Sequence, residues 1–229
     1  MVEIHWLIQN LADVPEDDSW LSERERTIAG RMYFEKRRQD WKLGRWSAKQ
    51  AVLRFLQLPS DSVSAMEVIA APDGAPEAFL DGNPSPVSLS ISHSAGVAFC
   101  AVAGAGLLLG CDLEEIGPRE TNFAADYFTR DEVRAVEEAG PAERDGLITL
   151  IWSAKESALK ALRQGLRRDT RSVHVNIPDE RHEDWSPLSA VDLETSRTFH
   201  CWWRTRENRV YTIASGLPAK PPIEILPGL

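Results

Sequence analysis

The order of apolar and polar positions divides the chain into short strands and amphipathic helices. Runs of strand-forming residues bounded by turn signals predict strands near 2–9, 63–70, 87–92, 97–103, 107–114, 171–177, 198–205 and 209–215. Apolar residues at helical spacing predict helices near 40–56, 130–139 and 143–164, and a further helix that opens at Ser22. Since each half of the chain mixes antiparallel strands with two or three helices, the expected fold class is α+β.

One segment of eleven residues occurs twice in the chain. Residues 46–56 (WSAKQAVLRFL) and 152–162 (WSAKESALKAL) share six identical positions. A shorter echo precedes each copy, at 20–25 (WLSERE) and 127–132 (YFTRDE), and both echoes carry a capping-box pattern that opens a helix. Two echoes in the same order at nearly the same offset indicate two related halves.

The repeat predicts a duplicated architecture. We expect an N-terminal subdomain over 1–106, a C-terminal subdomain over 107–216 and a proline-rich tail over 217–229. Each subdomain is expected to be a small antiparallel sheet packed with helices, and a pseudo-twofold axis to relate the two within one monomer. Gln50 in the first copy stands opposite Glu156 in the second, so we expect a single functional centre between two similar halves.

Composition favours a soluble cytoplasmic protein. The chain is 43% hydrophobic and 27% charged, as in ordinary globular proteins. Its three cysteines (Cys100, Cys111 and Cys201) lack the even count of a disulfide framework. The longest apolar run, 95–111, is interrupted by glycines and predicts two strands joined by a turn, not a membrane span, and we expect no secretory signal.

The net charge of −9 argues against a nucleic-acid partner, but the charge is unevenly distributed. Residues 24–54 hold ten Lys and Arg against three Asp and Glu, and residues 155–171 hold six against two. Both stretches overlap or adjoin the repeated segment. They indicate either solvated helix faces or the binding of an anionic ligand or acidic partner.

Two carboxylates on one predicted strand form a candidate metal site. The period of two puts Asp112 and Glu114 on the same face, roughly 6–7 Å apart along the strand. Two acids so placed can share one hard cation through oxygen ligands. An edge strand that turns polar as it leaves the core is the alternative.

The second repeat copy carries further charged groups. On a helical wheel Glu156, Lys160 and Arg163 cluster opposite an apolar stripe, with Trp152 and Leu159 beside them. A surface ion pair between Glu156 and Lys160, worth a few tenths of a kcal/mol, is one interpretation. The neighbouring apolar residues favour a partly buried site instead.

Residues 92–94 (SHS) end a predicted strand and carry donors suited to a phosphate. The segment lacks the G-x-S-x-G elbow of a hydrolase nucleophile. A structural role for His93 is the alternative interpretation.

These segments, in this order, resemble the Sfp-type 4'-phosphopantetheinyl transferases. The motifs that carry the resemblance are 44–49 (GRWSAK), 90–94 (SISHS), 110–114 (GCDLE) and 152–160 (WSAKESALK). The match spans about residues 20–175, and the acidic strand together with the K-E-x-x-x-K helix makes it specific.

The resemblance implies the function. The reaction is Mg²⁺-dependent transfer of the 4'-phosphopantetheine arm of coenzyme A to a serine of an apo carrier protein, with release of 3',5'-ADP. The carrier serves fatty-acid, polyketide or nonribosomal-peptide biosynthesis, and the site lies at the interface of the two halves. A membrane or a nucleic acid is not an expected partner.

The resemblance also implies the site residues. The implied metal ligands are Asp112, Glu114 and Glu156. The implied catalytic residues are Glu156, Lys160 and Lys155, with Glu156 or a water it orients accepting the serine proton. The implied coenzyme A contacts are Arg38, Arg45, Ser92, His93, Lys155 and Lys160.

Two positions depart from the family pattern. The usual G-x-K-P turn appears as Gly74-Ala75-Pro76, without the lysine that contacts phosphate in relatives, and Cys111 replaces Ile or Val. The missing lysine favours an alternative, a non-catalytic protein that binds coenzyme A or a carrier. A third interpretation, a Mg²⁺-dependent nucleotide hydrolase, would release 3',5'-ADP without any carrier.

Overall fold

The computed structural model describes residues 1–226, apart from the side chain of Leu166. Positions 227–229 of the predicted tail lie outside the described residues. Within that part of the chain, no helix combines the length and apolar character needed to span a membrane.

The chain is a mixed α/β structure of small sheets and helices, as the sequence predicted in outline. The helices are α1 (Glu23–Gly30), α2 (Glu35–Phe55), α3 (Phe123–Tyr127), α4 (Arg130–Glu138) and α5 (Pro141–Ala161). The strands are β1 (His5–Asn10), β2 (Met66–Ala70), β3 (Pro76–Leu80), β4 (Asn83–Pro84), β5 (Val87–Ser94), β6 (Val97–Gly104), β7 (Leu109–Glu115), β8 (Val173–Asn176), β9 (Ser186–Asp192), β10 (Arg197–Arg206), β11 (Arg209–Ser215) and β12 (Ile223–Glu224).

Most predicted elements are present with shifted ends, but α2 begins at Glu35 instead of near residue 40. The sequence did not predict α3, β3, β4, β9 or β12, and β12 adds part of the expected surface tail to a sheet. The chain divides into two compact units, which we describe separately. The N-terminal unit comprises Glu3–Leu107 and the segment from Pro222, and the C-terminal unit comprises Leu108–Pro221 and Met1–Val2. The pseudo-twofold relation between the halves stays a prediction.

The N-terminal unit is built on a four-stranded sheet of order β12-β1-β6-β5, in which only β12 and β1 run parallel. The apolar side chains of α2 pack on this sheet. Ala48 and Val52 of the helix share a buried core with Leu7 of β1 and Val102 of β6. A separate antiparallel sheet of order β2-β3-β4 belongs to the same unit.

The C-terminal unit is an antiparallel sheet of order β7-β11-β10-β9-β8 with α5 packed on one face. Ile151 and Ala158 of the helix share a buried core with Phe199 of β10. A buried polar contact fixes the helix on β11, because the hydroxyl of Thr212 lies 2.9 Å from Ser153 Oγ and 2.6 Å from Ser157 Oγ. Buried hydroxyls need such partners, so this contact specifies one position of α5 along the sheet.

The repeated lysine forms a buried ion pair in each unit. In the N-terminal unit Lys49 Nζ lies 2.6 Å from Glu25 Oε2, and both side chains are fully buried. Glu25 also completes the capping box of Ser22 and accepts a hydrogen bond of 2.9 Å from the backbone N–H of Val68. One carboxylate therefore ties α1, α2 and β2 together.

The C-terminal unit contains the same arrangement. Lys155 Nζ lies 2.8 Å from Glu132 Oε2, and Glu132 completes the capping box of Thr129. The second oxygen of Glu132 accepts a hydrogen bond of 2.7 Å from the backbone N–H of Val175. The two echoes therefore encode the same arrangement. In each unit a buried lysine of the long helix pairs with a glutamate that caps a short helix and binds the backbone of a strand.

A close approach of backbones fixes β7 against α5. A Cβ atom at Gly110 would lie 1.9 Å from the carbonyl oxygen of Ser157 and 2.7 Å from the backbone nitrogen of Ala161. Neither atom can rotate away, because both belong to the helix backbone. Only glycine permits this packing.

We predict that Gly110→Ala destabilises the protein by about 3 kcal/mol, the upper end of the usual overpacking cost, because α5 must move away from β7. The control is Gly146→Ala in α5, where a Cβ would meet no atom within 4 Å outside the helix's own nearby backbone. That control should gain roughly 0.5–1 kcal/mol from helix propensity. Denaturant unfolding measures both, and equal stability of the two variants would contradict the packing argument.

We predict that Lys155→Met lowers the free energy of unfolding by about 3–5 kcal/mol, because it leaves Glu132 buried without its cation. Lys49→Met should cost a similar amount, since its environment in the other unit is the same. The exposed control Lys36→Met should stay within about 0.5 kcal/mol of wild type. A Lys155→Met protein with wild-type stability in urea would show that the pair does not hold the unit together.

Candidate active site

Strand β7 brings two carboxylates to the face that α5 covers. Asp112 and Glu114 of β7 lie opposite Thr212 and Val210 of β11. The register of these two strands therefore fixes where both carboxylates stand along the sheet. Asp112 is 3% exposed, whereas Glu114 is half-buried. β7 is the edge strand of its sheet, but its acidic face packs against the long helix and does not turn to solvent.

Helix α5 supplies a cation against this strand. Lys160 Nζ donates hydrogen bonds of 2.7 Å to Asp112 Oδ1 and 3.1 Å to the carbonyl oxygen of Cys111. Burial lowers the pKa of the Lys160 ammonium, but the charge and hydrogen bond of Asp112 together with Cys111 and Glu156 outweigh it, and the net shift is upward. Lys160 is therefore a fixed positive charge beside the carboxylates.

Glu156 lies one helical turn before Lys160 and is 8% exposed. Its Oε1 atom is buried without a hydrogen-bond partner among residues 1–226. Burial raises the pKa of Glu156 to about 7, and the charges of Asp112 and Glu114 add to the rise while Lys160 opposes it. A buried carboxylate oxygen without a donor suits a cation or a proton at that position.

Two residues outside the predicted set hold Glu114. Trp152 Nε1 donates a hydrogen bond of 3.1 Å to Glu114 Oε1, and Arg119 Nη2 donates one of 2.8 Å to Glu114 Oε2. The Trp152 ring packs against Phe123 and Tyr127 of α3 at centroid distances of 5.1 and 5.2 Å. Trp152 belongs to the repeated motif, but Arg119 lies in the loop after β7, where no motif marks it.

The carboxylates share one neighbourhood but form no preformed metal cage. Across the described part of the chain, no group of three or more His, Cys, Asp and Glu side chains is arranged to hold a metal ion. Asp112 is paired with Lys160, and Glu114 with Arg119. Asp112 and Glu114 interact with Glu156 electrostatically, and their negative charges contribute to the raised pKa of Glu156.

The structure does not bring Lys155 into this cluster. Its ammonium is fully buried, pairs with Glu132, and also donates to the carbonyl oxygens of Thr170 and Val173. A lysine has three N–H donors, and these three partners use all of them. The next residue along α5, Glu156, projects about 100° further round the helix axis.

The other predicted ligand contacts lie in the N-terminal unit. Arg38 is half-buried and pairs with Glu35 one turn away. Arg45 donates from Nε to the carbonyl oxygen of Val68 at 3.0 Å. The two predicted phosphate donors lie on β5, where Ser92 is buried and His93 is exposed.

Comparison with known proteins bears on the C-terminal unit. Residues 108–214 match the family model of the 4'-phosphopantetheinyl transferase superfamily. The resemblance to this superfamily is confirmed. The matched segment contains Asp112, Glu114, Glu156 and Lys160. The phosphopantetheinyl transferase motifs quoted from the N-terminal half lie outside it. The roles of all the predicted site residues stay predictions.

Two relatives illustrate the extent of the similarity. A 4'-phosphopantetheinyl transferase of Bacillus subtilis is 29% identical over 93 residues, which are 41% of this chain and 41% of the relative. The aligned region thus spans less than half of that relative. A holo-(acyl-carrier-protein) synthase from Bacillus anthracis str. Ames, solved in complex with CoA (3',5'-ADP), is 26% identical with a TM-score of 0.38, and the match covers 45% of this chain and 95% of that one.

We predict that the proton on Glu156 makes the metal-free protein less stable as pH rises. The folded state holds this proton up to a pKa of about 7, whereas the group's ordinary value is 4.5. Its contribution is complete below pH 4.5 and is lost as pH rises through 7, a change of about 3 kcal/mol. Urea unfolding in a chelating buffer across this range, compared with Glu156→Gln, isolates the effect. Parallel curves for the two proteins would contradict it.

Proposed function

We propose that the protein transfers the 4'-phosphopantetheine arm of coenzyme A to a serine hydroxyl of an apo carrier protein and releases 3',5'-ADP. The observation that carries this proposal is the cluster of Asp112, Glu114, Glu156 and Lys160 inside the segment that matches the superfamily. We further propose a cytoplasmic, monomeric enzyme that acts on acyl, polyketide or peptidyl carriers.

The donor chemistry of the cluster fits Mg²⁺. Asp112, Glu114 and Glu156 offer hard carboxylate oxygens, and the buried Oε1 of Glu156 has no donor among the described residues. A bound Mg²⁺ would neutralise negative charge on the pyrophosphate of coenzyme A. Lys160 and Arg119 now pair with Asp112 and Glu114, so a bound cation would share these carboxylate oxygens with the two side chains.

Lys160 and Glu156 have the properties that phosphoryl transfer requires of a protein. Such transfer depends mainly on positioning and on stabilisation of charge. The ammonium of Lys160 lies beside the carboxylates and can donate to a phosphate oxygen of coenzyme A. Glu156 can accept the serine proton, directly or through a water.

The remaining predicted residues divide into two groups in this proposal. Arg38, Arg45, Ser92 and His93 of the N-terminal unit supply cations and donors for coenzyme A. Lys155, which the sequence placed among the catalytic and ligand-binding residues, instead holds α5 in place through Glu132, because its donors are already used within the core.

We predict that wild-type protein, given apo carrier protein, coenzyme A and Mg²⁺, adds the mass of the phosphopantetheine arm to the carrier. Glu156→Gln should lower the rate at least about 100-fold, because it removes both a proton acceptor and a ligand charge. Chelation of Mg²⁺ by EDTA should also abolish the mass shift. Intact-protein mass spectrometry follows the reaction.

The matched control is Glu143→Gln, which makes the same exchange at an exposed position of the same helix and should leave the rate unchanged. No mass shift with wild-type protein on any of several fatty-acid, polyketide and peptide carriers would overturn the proposed function.

A further inference from the structure

Each carboxylate oxygen of Glu114 accepts a hydrogen bond from a different side chain. Trp152 Nε1 donates to Oε1 at 3.1 Å, and Arg119 Nη2 donates to Oε2 at 2.8 Å. A partly exposed glutamate otherwise samples several rotamers, and fixing it costs conformational entropy. The two donors therefore hold Glu114 in one orientation before any ligand binds.

The two donors are connected through the ring of Phe123. The guanidinium carbon of Arg119 lies 5.4 Å from the centroid of this ring, and the ring lies 5.1 Å from that of Trp152. The four side chains form a closed circuit of contacts, which we call the Glu114 clamp. Its members come from β7, the loop after β7, α3 and α5, so the clamp joins four segments of the C-terminal unit around one carboxylate.

The N-terminal unit carries the same tryptophan without a clamp. Trp46 occupies the position of Trp152 in the first repeat copy, and its ring packs against Trp20 at a centroid distance of 5.2 Å. Its Nε1 atom is buried without a hydrogen-bond partner among residues 1–226. The ring is therefore common to both units, but the indole N–H binds a carboxylate only in the unit that contains the acidic cluster.

The pair between Arg119 and Glu114 is not built for stability. The strongest arginine–carboxylate pairs use two parallel N–H donors. Arg119 donates to Glu114 from Nη2 alone, and its Nε is buried without a hydrogen-bond partner among the described residues. Both side chains are also about one quarter exposed, at 26% and 24%, and ion pairs near solvent contribute little to stability. Orientation of the carboxylate is the effect that remains.

We propose that Arg119 is a positioning residue, which orients Glu114 for a divalent cation and thereby sets the affinity of the cation. This inference rests on the proposed function, which assigns Mg²⁺ to the acidic cluster. Metal-binding carboxylates depend on such outer hydrogen bonds, and an ionised carboxylate keeps lone pairs for the metal after it has accepted two. The charge of Arg119 alone would repel a cation, so positioning and charge have opposite effects on affinity.

The test is the affinity for Mn²⁺, which substitutes for Mg²⁺ and is visible by electron paramagnetic resonance, measured without coenzyme A or carrier. Arg119→Ala should weaken Mn²⁺ binding about 10–100-fold, as expected when a residue that orients a metal ligand is lost. Arg119→Lys, which keeps the charge and one donor, should recover part of this loss. The matched control Arg171→Ala removes an arginine that contacts the exposed Asp169 at the same 2.8 Å and should change nothing.

A second variant tests the clamp without touching either partner of the ion pair. Phe123→Leu removes the ring beneath Arg119 and should weaken Mn²⁺ binding about two- to fivefold, the equivalent of one cation–π contact. Most of this effect should disappear in the Arg119→Ala background, because the ring acts through the arginine. Equal effects of Phe123→Leu in both backgrounds would indicate general loosening of the unit and would overturn the inference.

Three other outcomes would overturn it. One is an unchanged Mn²⁺ affinity in Arg119→Ala, and another is wild-type protein that does not bind Mn²⁺. The third is tighter Mn²⁺ binding by Arg119→Ala, which would show that the arginine competes with the cation for Glu114. If Arg119→Ala is unfolded by circular dichroism, Arg119→Lys and Phe123→Leu provide the same comparison.

Metal binding is measured apart from turnover, so the two proposals fail separately. In the transfer reaction Arg119→Ala should raise the Mg²⁺ concentration that gives half the maximal rate more than it lowers the maximal rate. Wild-type protein that binds Mn²⁺ with the help of Arg119 but modifies no carrier would refute the transfer reaction alone. Transfer by wild-type protein, combined with equal Mn²⁺ affinities of wild type and Arg119→Ala, would refute the positioning role alone.

Discussion

The packing of α5 on β7 at Gly110 is the constraint on which the candidate site depends. Because the strand backbone lies almost in contact with the helix backbone, every side chain on that face of β7 has a fixed position against the helix. Asp112 accepts a hydrogen bond from Lys160, and Glu114 accepts one from Trp152. The same closeness excludes water from Glu156 and thereby raises its pKa. The electrostatics of the site thus follow from one packing contact.

The buried ion pairs give the repeated lysine a structural role in each unit. Lys49 and Lys155 occupy equal positions in the two copies and both neutralise a helix-capping glutamate inside the core. A residue type alone does not distinguish a ligand-binding lysine from a core lysine, and the sequence placed Lys155 among the former. The informative position is the next one, where Gln50 and Glu156 differ. A difference between copies points to function more reliably than an identity, because an identity can be required by the fold alone.

Local signals predicted much of the fold but few long-range partners. The capping boxes at Ser22 and Thr129 and the apolar stripe of α5 are local, and the structure contains each. Strand β9 was missed because its buried face includes Asp192, which is stabilised by Arg168 from a distant segment. Arg119 was missed for a related reason, since it reaches Glu114 from a loop without any motif. The sequence identified the carboxylates of the site and Lys160, which pairs with Asp112, but not Arg119, which pairs with Glu114.

The central claim is that this acidic cluster moves a phosphopantetheine arm from coenzyme A to a carrier. The most direct measurement counts, in one reaction, the moles of 3',5'-ADP released and the moles of carrier that gain the arm. The account predicts a ratio of one with carrier present and no 3',5'-ADP when the carrier is left out. Release of 3',5'-ADP without carrier would contradict it, because coenzyme A would then be hydrolysed instead of transferred.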